Sequence, residues 1–208
     1  MKPKRFVVGL TGGIGTGKSS VLSEFKRLGA ATVNLDEIAR EQARPGRTGY
    51  RAILRAFGRG ILDKKGSIDR ALLGEIVFRD PAARRRLERA THPPILREMK
   101  RLIGRLKGLV VVDVPLLFEK GLQDDFDATV LVDCRLRTQI RRVVRRDGLS
   151  PAEVRRRIAA QMPMAKKRVR ADFAMDNEAS LSSLRVRVKA LRSLLMLLYG
   201  GTPNGNTH

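Results

Sequence analysis

The 208-residue chain predicts an α/β protein built on a parallel sheet of about five strands, with a helical insertion and a lid. Two observations carry that expectation. Apolar, β-branched runs alternate with helical patterns, and a glycine-rich turn joins the first run to the first helix.

The first run, FVVGL (6–10), reads as a strand buried on both faces. In SSVLSEFKRLGA (19–30), Val21, Leu22, Phe25 and Leu28 fall at helical spacing and Gly29 supplies the stop. ATVNL (31–35) is a second strand. LVVVDV (109–114) and ATVLVD (128–133) are the clearest further strands, and ADFAMDN (171–177) is a weaker fifth. Between them, residues 38–107 carry amphipathic helical patterns broken at Pro45-Gly46, Gly58, Gly66 and Pro93-Pro94, the pattern of an inserted substrate subdomain. Residues 135–168 are very basic and predict a mobile cover, in which SPAE (150–153) combines an N-cap, a proline at the first helical position and an acid in the first turn. Leu181, Leu184, Val188, Leu191, Leu195 and Leu198 form one stripe, as expected of a helix packed on the sheet. The nucleotide core is thus expected over residues 1–37, 108–134 and 169–200 of a single domain, with a disordered tail at 201–208.

Composition narrows the classes. Hydrophobic residues at 42% and charged residues at 31% describe a globular chain. No run approaches the ~18 apolar residues of a membrane span, and the N-terminus lacks a secretory apolar segment, so a cytoplasmic, membrane-free protein is expected. A lone Cys134, with only His92 and His208 beside it in composition, excludes an intramolecular disulfide and a zinc cluster; packing is its expected role. The net charge of +22 fits an anionic small substrate, a nucleic acid or merely an arginine-rich composition, and aromatics at 4% leave few stacking platforms for single strands.

The strongest chemical signal is Gly12-Gly13-Ile14-Gly15-Thr16-Gly17-Lys18-Ser19, a complete GxxxxGK[ST] phosphate loop between a strand and a helix. Glycines let backbone N–H groups converge on phosphate, and the helix N-terminus adds positive potential. The nucleotide contacts expected are Gly13 to Ser20, with Lys18 on the β- and γ-phosphates of ATP and the Ser19 hydroxyl on Mg²⁺. Asp113, ending LVVVD, is placed to hold the same metal ion. Asp36, at the end of the second strand, reads equally well as the base for an attacking hydroxyl or as the N-cap of the helix that follows. Arginines of RRVVRRDG (141–148) could stabilise charge on a transferring phosphoryl group or form a solvated helix face.

Together, GLTGGIGTGKSSV, LGA…NLD, VF-RDP, HP at 92–93, DVPLLFE at 113–119, Q…RR…RRDG, AAQM and AD…DN resemble the dephospho-CoA kinase family over roughly residues 6–190. The resemblance implies transfer of the ATP γ-phosphoryl to the ribose 3′-hydroxyl of dephospho-coenzyme A. It further implies that Asp36 is the base and that Arg142 and Arg146 contact ATP phosphates. His92, Pro115, Leu116 and Glu119 would surround the acceptor, and Asn177 would lie near the adenine. For His92 an equal alternative is that HPP merely fixes a turn before ILREMKRLI. The family commonly carries Asp-x-Asp where this chain has Asn34-Leu35-Asp36, which removes one charge and keeps the proposed base. A monomer without a specific nucleic-acid partner is expected. A P-loop kinase for another hydroxyl, and a nucleic-acid binder switched by NTP, are the competing readings.

Overall fold

The computed structural model describes residues 5–199, and the chain divides into two compact units, Asn34–Arg105 and the remainder. The expected disordered tail lies outside the described residues. In chain order the elements are β1 (Arg5–Gly12), α1 (Lys18–Arg27), β2 (Ala31–Asn34), α2 (Leu35–Gln42), α3 (Thr48–Phe57), α4 (Arg70–Arg79), α5 (Pro81–Ile103), β3 (Gly108–Asp113), β4 (Ala128–Asp133), α6 (Leu136–Asp147), α7 (Pro151–Ala159), α8 (Met164–Arg170), β5 (Phe173–Asp176) and α9 (Leu181–Leu198).

The sheet has five strands in the order β2-β3-β1-β4-β5, with β1 at its centre and parallel to both neighbours. The register pairs Leu10 with Asp113 and Gly12 with Val132, so the carboxyl ends of β3 and β4 flank the turn that leaves β1. Ligands of open parallel sheets collect at that edge. One face of the sheet buries Val8, Leu10, Val111, Val130 and Val132 against Val21 and Phe25 of α1 and Leu184, Val188 and Leu195 of α9. Burying a side chain the size of Phe25 stabilises by about 2–3 kcal/mol. The alternate residues Val110, Val112 and Leu131 are equally buried, which is why these strands read as continuous apolar runs. Of the α9 stripe, Leu181 and Leu198 at the helix ends stay 68% and 62% exposed.

Local signals fix most boundaries. Past α1, the Gly29 N–H donates to Lys26 O and the Ala30 N–H to Phe25 O, a Schellman ending that needs the positive φ of Gly29. Ser150 and Glu153 form a reciprocal capping box at α7, and Pro151 occupies the first helical position, as SPAE predicted. The insertion is helical, with a small core of Ile53, Ile61, Ile68 and Leu73.

One expected break does not occur. Pro93 and Pro94 lie inside α5, a helix of 23 residues, so HPP does not fix a turn. The helix continues because its two halves are anchored separately, by buried Ala83 on one side and by buried Pro94, Met99 and Ile103 on the other. Tertiary packing here outweighs the roughly 3 kcal/mol that a proline costs within a helix.

At Gly9 the neighbouring side chains leave no room for a Cβ. A methyl group there would lie 2.6 Å from Leu117 Cδ1 and 2.8 Å from Phe126 Cδ2. Gly9→Ala is therefore expected to cost about 1–3 kcal/mol through overpacking, seen as a lower urea midpoint with an unchanged slope.

Candidate active site

The turn after β1 makes a phosphate-sized nest from its own backbone. Gly15 and Gly17 adopt φ of +77° and +87°, a left-handed conformation that glycine alone reaches freely. Thr16 closes the loop internally, its N–H and Oγ1 both donating to Gly13 O at 3.2 and 2.9 Å. The N–H groups of Gly15, Gly17, Lys18 and Ser19 have no acceptor among the described residues; Gly17 is the N-cap of α1, and Lys18 and Ser19 begin its first turn. Four convergent amides at a helix N-terminus bind anions.

Neighbouring elements hold this loop from outside. Asn177, buried just after β5, donates its side-chain N–H to Thr16 O at 2.8 Å and its backbone N–H to Asp133 O at 2.8 Å. Arg142 of α6 donates to the same Thr16 carbonyl at 3.2 Å and to Asn177 O at 2.8 Å. Gln161, between α7 and α8, accepts the Ile14 N–H at 3.0 Å. A cavity of about 460 Å³ opens beside the loop. Gly15, Gly17, Ser19, Ser20, Arg142, Arg146 and Asn177, all expected from the sequence, line it together with apolar Leu181 and Leu184. Arg146 also pairs with Asp147 at 2.6 Å.

The Lys18 ammonium forms an ion pair with Asp113, both side chains nearly buried. The sequence assigned these two residues separate partners, and the register that sets Asp113 opposite Leu10 brings them together. The Asp113 carboxylate is buried at its strand end and the Ser19 hydroxyl belongs to an exposed residue; both are oxygen donors of the kind a magnesium ion takes, one or two from protein and the rest from phosphate and water. Among the described residues no group of three His, Cys, Asp or Glu could form a closed metal site.

The acceptor-side expectations divide between the units. In the sheet unit, Pro115 O accepts from Thr11 Oγ1 at 3.3 Å, Leu116 is 37% exposed, and Glu119 is half-buried. Glu119 is already engaged: its Oε1 lies 2.6 Å from the ammonium of Lys167 and accepts the Met162 N–H at 3.2 Å. Lys167 is completely buried, a position no sequence signal announced. In the helical unit, His92 is half-buried on α5.

Asp36 does not cap its helix. The helix starts at Leu35, and the cap is Asn34, whose Oδ1 accepts the N–H groups of Asp36 and Glu37 at 2.9 and 3.2 Å. Asparagine and aspartate cap about equally well, so the departure from Asp-x-Asp leaves this local structure intact. The Asp36 carboxylate is exposed and has no partner among the described residues.

Cys134 is buried, its sulfur 3.9 Å from Gly15 O. Burial is the main cause that pushes its thiol from an ordinary 9.0 up to about 11; Arg142 opposes the shift, and Glu178, Asp133 and Asp176 add to it.

Comparison with known proteins points to one family. A family model described as dephospho-CoA kinase matches residues 6–183. A dephospho-CoA kinase of Geobacter sulfurreducens is 43% identical, covering 89% of this chain and 96% of its own. A dephospho-CoA kinase domain-containing protein of Danio rerio is also 43% identical, covering 91% and 85%. Among solved structures, TT1252 from Thermus thermophilus superposes with a TM-score of 0.80 at 36% identity, covering 92% of this chain and 98% of that one. A dephospho-CoA kinase from Campylobacter jejuni gives 0.67 at 27%, covering 94% and 98%. A shikimate kinase from Acinetobacter baumannii, at 0.50 and 15% identity with 95% of each chain covered, shares the fold alone. No described helix is long and apolar enough to cross a membrane.

Two outcomes are expected. Lys167→Met strands the Glu119 carboxylate, so it should lose about 3 kcal/mol of stability in urea; Lys167→Met with Glu119→Gln should recover part of that loss. Above pH 9 the unfolded Cys134 thiol ionises while the folded one keeps its proton, so the unfolded state binds fewer protons and stability falls as pH rises toward 11. The urea midpoint should therefore drop more between pH 8 and pH 10.5 in the native chain than in Cys134→Ala.

Proposed function

The chain belongs to the dephospho-CoA kinase family, and from that premise we propose that it transfers the γ-phosphoryl group of ATP to the ribose 3′-hydroxyl of dephospho-coenzyme A, giving coenzyme A and ADP in the last step of coenzyme A synthesis. The observation that carries the reading is the set of free amides at Gly15, Gly17, Lys18 and Ser19 on a cavity with Arg142 and Arg146.

In this mechanism the loop amides take the phosphate oxygens of ATP, and the base occupies the end of the cavity walled by Leu181 and Leu184. Lys18 leaves Asp113 for the β- and γ-phosphates. Ser19 and Asp113 would hold Mg²⁺, which when bound neutralises phosphate charge. Asp36 orients the acceptor hydroxyl and accepts its proton; its exposed, unpartnered carboxylate supports that role. The acceptor oxygen forms its bond to phosphorus as the bond to the β-phosphate oxygen breaks, and ADP leaves with no covalent enzyme intermediate. Arg142 and Arg146 meet the charge spread over the transferring group. His92, Pro115 and Leu116 contact the acceptor, and Glu119 shapes that region through Lys167. Residues 135–168 act as the lid that excludes water. The protein works in the cytoplasm as a monomer with no specific nucleic-acid partner.

ADP release, measured with Mg²⁺ and ATP, should follow addition of dephospho-coenzyme A and be absent with adenosine, AMP or a short RNA. Asp36→Asn should lower kcat by about 10²–10⁴-fold with little change in the KM for ATP, and Lys18→Ala should abolish turnover. Turnover on another acceptor alone, or RNA-stimulated hydrolysis, would refute the assignment; near-native turnover of Asp36→Asn would remove the residue from its role.

A further inference from the structure

Residues 161–167 join two parts of the sheet unit that lie far apart in sequence. On one side they touch the phosphate loop. Gln161 Oε1 accepts the Ile14 N–H at 3.0 Å, and a Cβ at Gly13 would come within 3.2 Å of Met164 Sδ and 3.4 Å of Gln161 Oε1. A glycine at that position lets the segment lie directly on the loop. On the other side the same residues hold the turn that follows β3. Glu119 Oε1 accepts the Met162 N–H at 3.2 Å and lies 2.6 Å from the Lys167 ammonium.

The turn itself is stiff. Leu117 and Phe118 are buried in it, the Val114 N–H donates to Leu10 O at 2.9 Å, and the Lys120 N–H donates to Leu116 O at 3.0 Å. A displacement of Glu119 therefore moves the turn as one piece, with Leu116 on its surface.

Lys167 makes this connection hard to break and easy to rearrange. Its side chain is completely buried, so it cannot exchange Glu119 for water, and separating the pair would leave an uncompensated charge. Yet the pair is not closed. Glu119 Oε2 and Lys167 Nζ are both buried without a well-directed hydrogen bond among the described residues. An ammonium carries three donors and a carboxylate two acceptor oxygens, so the same two groups have a second arrangement, on Oε2, that they can reach without parting.

We propose that Lys167 is a positioning residue that relays the filling of the phosphate loop to the turn at residues 115–119. It touches neither ligand. When phosphate draws the loop amides inward, Ile14 carries Gln161 with it and the segment 161–167 shifts. Lys167 then takes Glu119 from one arrangement to the other, and the turn brings Leu116 to the position in which it meets the acceptor. The identity of that acceptor rests on the kinase reading above.

The test is equilibrium dialysis of labelled dephospho-coenzyme A against the full chain in Mg²⁺, with and without saturating β,γ-methylene-ATP, which fills the loop but transfers nothing. In the native chain the acceptor should bind about fivefold or more tightly when the loop is filled. Lys167→Arg, which keeps the charge, should keep most of that ratio. Lys167→Met combined with Glu119→Gln removes both charges together and should bring the ratio close to one. Gln161→Ala cuts only the tie to Ile14 and should do the same, which keeps the test valid if the double substitution unfolds. A ratio of one in the native chain would overturn the relay. So would the native ratio persisting in the variants, even with both affinities lowered, since that is the result of a merely structural lysine. A native chain that binds no dephospho-coenzyme A in either condition would overturn the kinase reading and the relay together, whereas binding with a ratio of one removes the relay alone.

Discussion

A phosphate loop works only if its backbone N–H groups point inward with nothing of the protein's own to bond, and an unsatisfied loop of that kind does not hold its shape unaided. Here the opposite face of the loop carries the support. The Thr16 carbonyl receives both Asn177 and Arg142, and the Ile14 amide is tied to Gln161. Each neutral bond contributes about 1 kcal/mol, and charged Arg142 somewhat more. These supports come from the end of β5, from α6 and from the link between α7 and α8, so nearly every element around the carboxyl edge of the sheet serves to keep four amides free.

The sheet and the loop were legible because their signals are local. Apolar runs 6–10, 109–112 and 128–132 describe strands covered on both faces, and GxxxxGKS describes its own turn. What escaped was carried by distance. Lys167 reads as one more cation in KKR, yet the fold buries it against Glu119, 48 positions away in a different motif. Gln161 stood out only as part of AAQM, and nothing local says that its amide reaches Ile14. Asn177, expected near adenine, lines the cavity beside the loop, but no local signal says that its side chain also spans to the loop carbonyl. Pro93-Pro94 misled for the opposite reason: a strong local signal for a break was overridden by packing on both sides of it.

The large positive charge also acquires an internal pattern. Where arginines follow glutamates at helical spacing they neutralise one another on exposed faces, and such pairs add little to stability. Where they converge on concave surfaces, beside the phosphate loop and between α3 and α5, carboxylates are missing from the lining.

The ion pair between Lys18 and Asp113 makes the two halves of the nucleotide site answer to each other. While it stands, the lysine is withheld from anions and the carboxylate from cations. A phosphate that draws Lys18 away exposes Asp113 to a cation, and a cation that occupies Asp113 releases Lys18 to phosphate. Thermodynamic reciprocity then requires each ligand to raise the affinity for the other by the same factor. On the proposed mechanism, such a site would favour phosphate and cation together over either one alone.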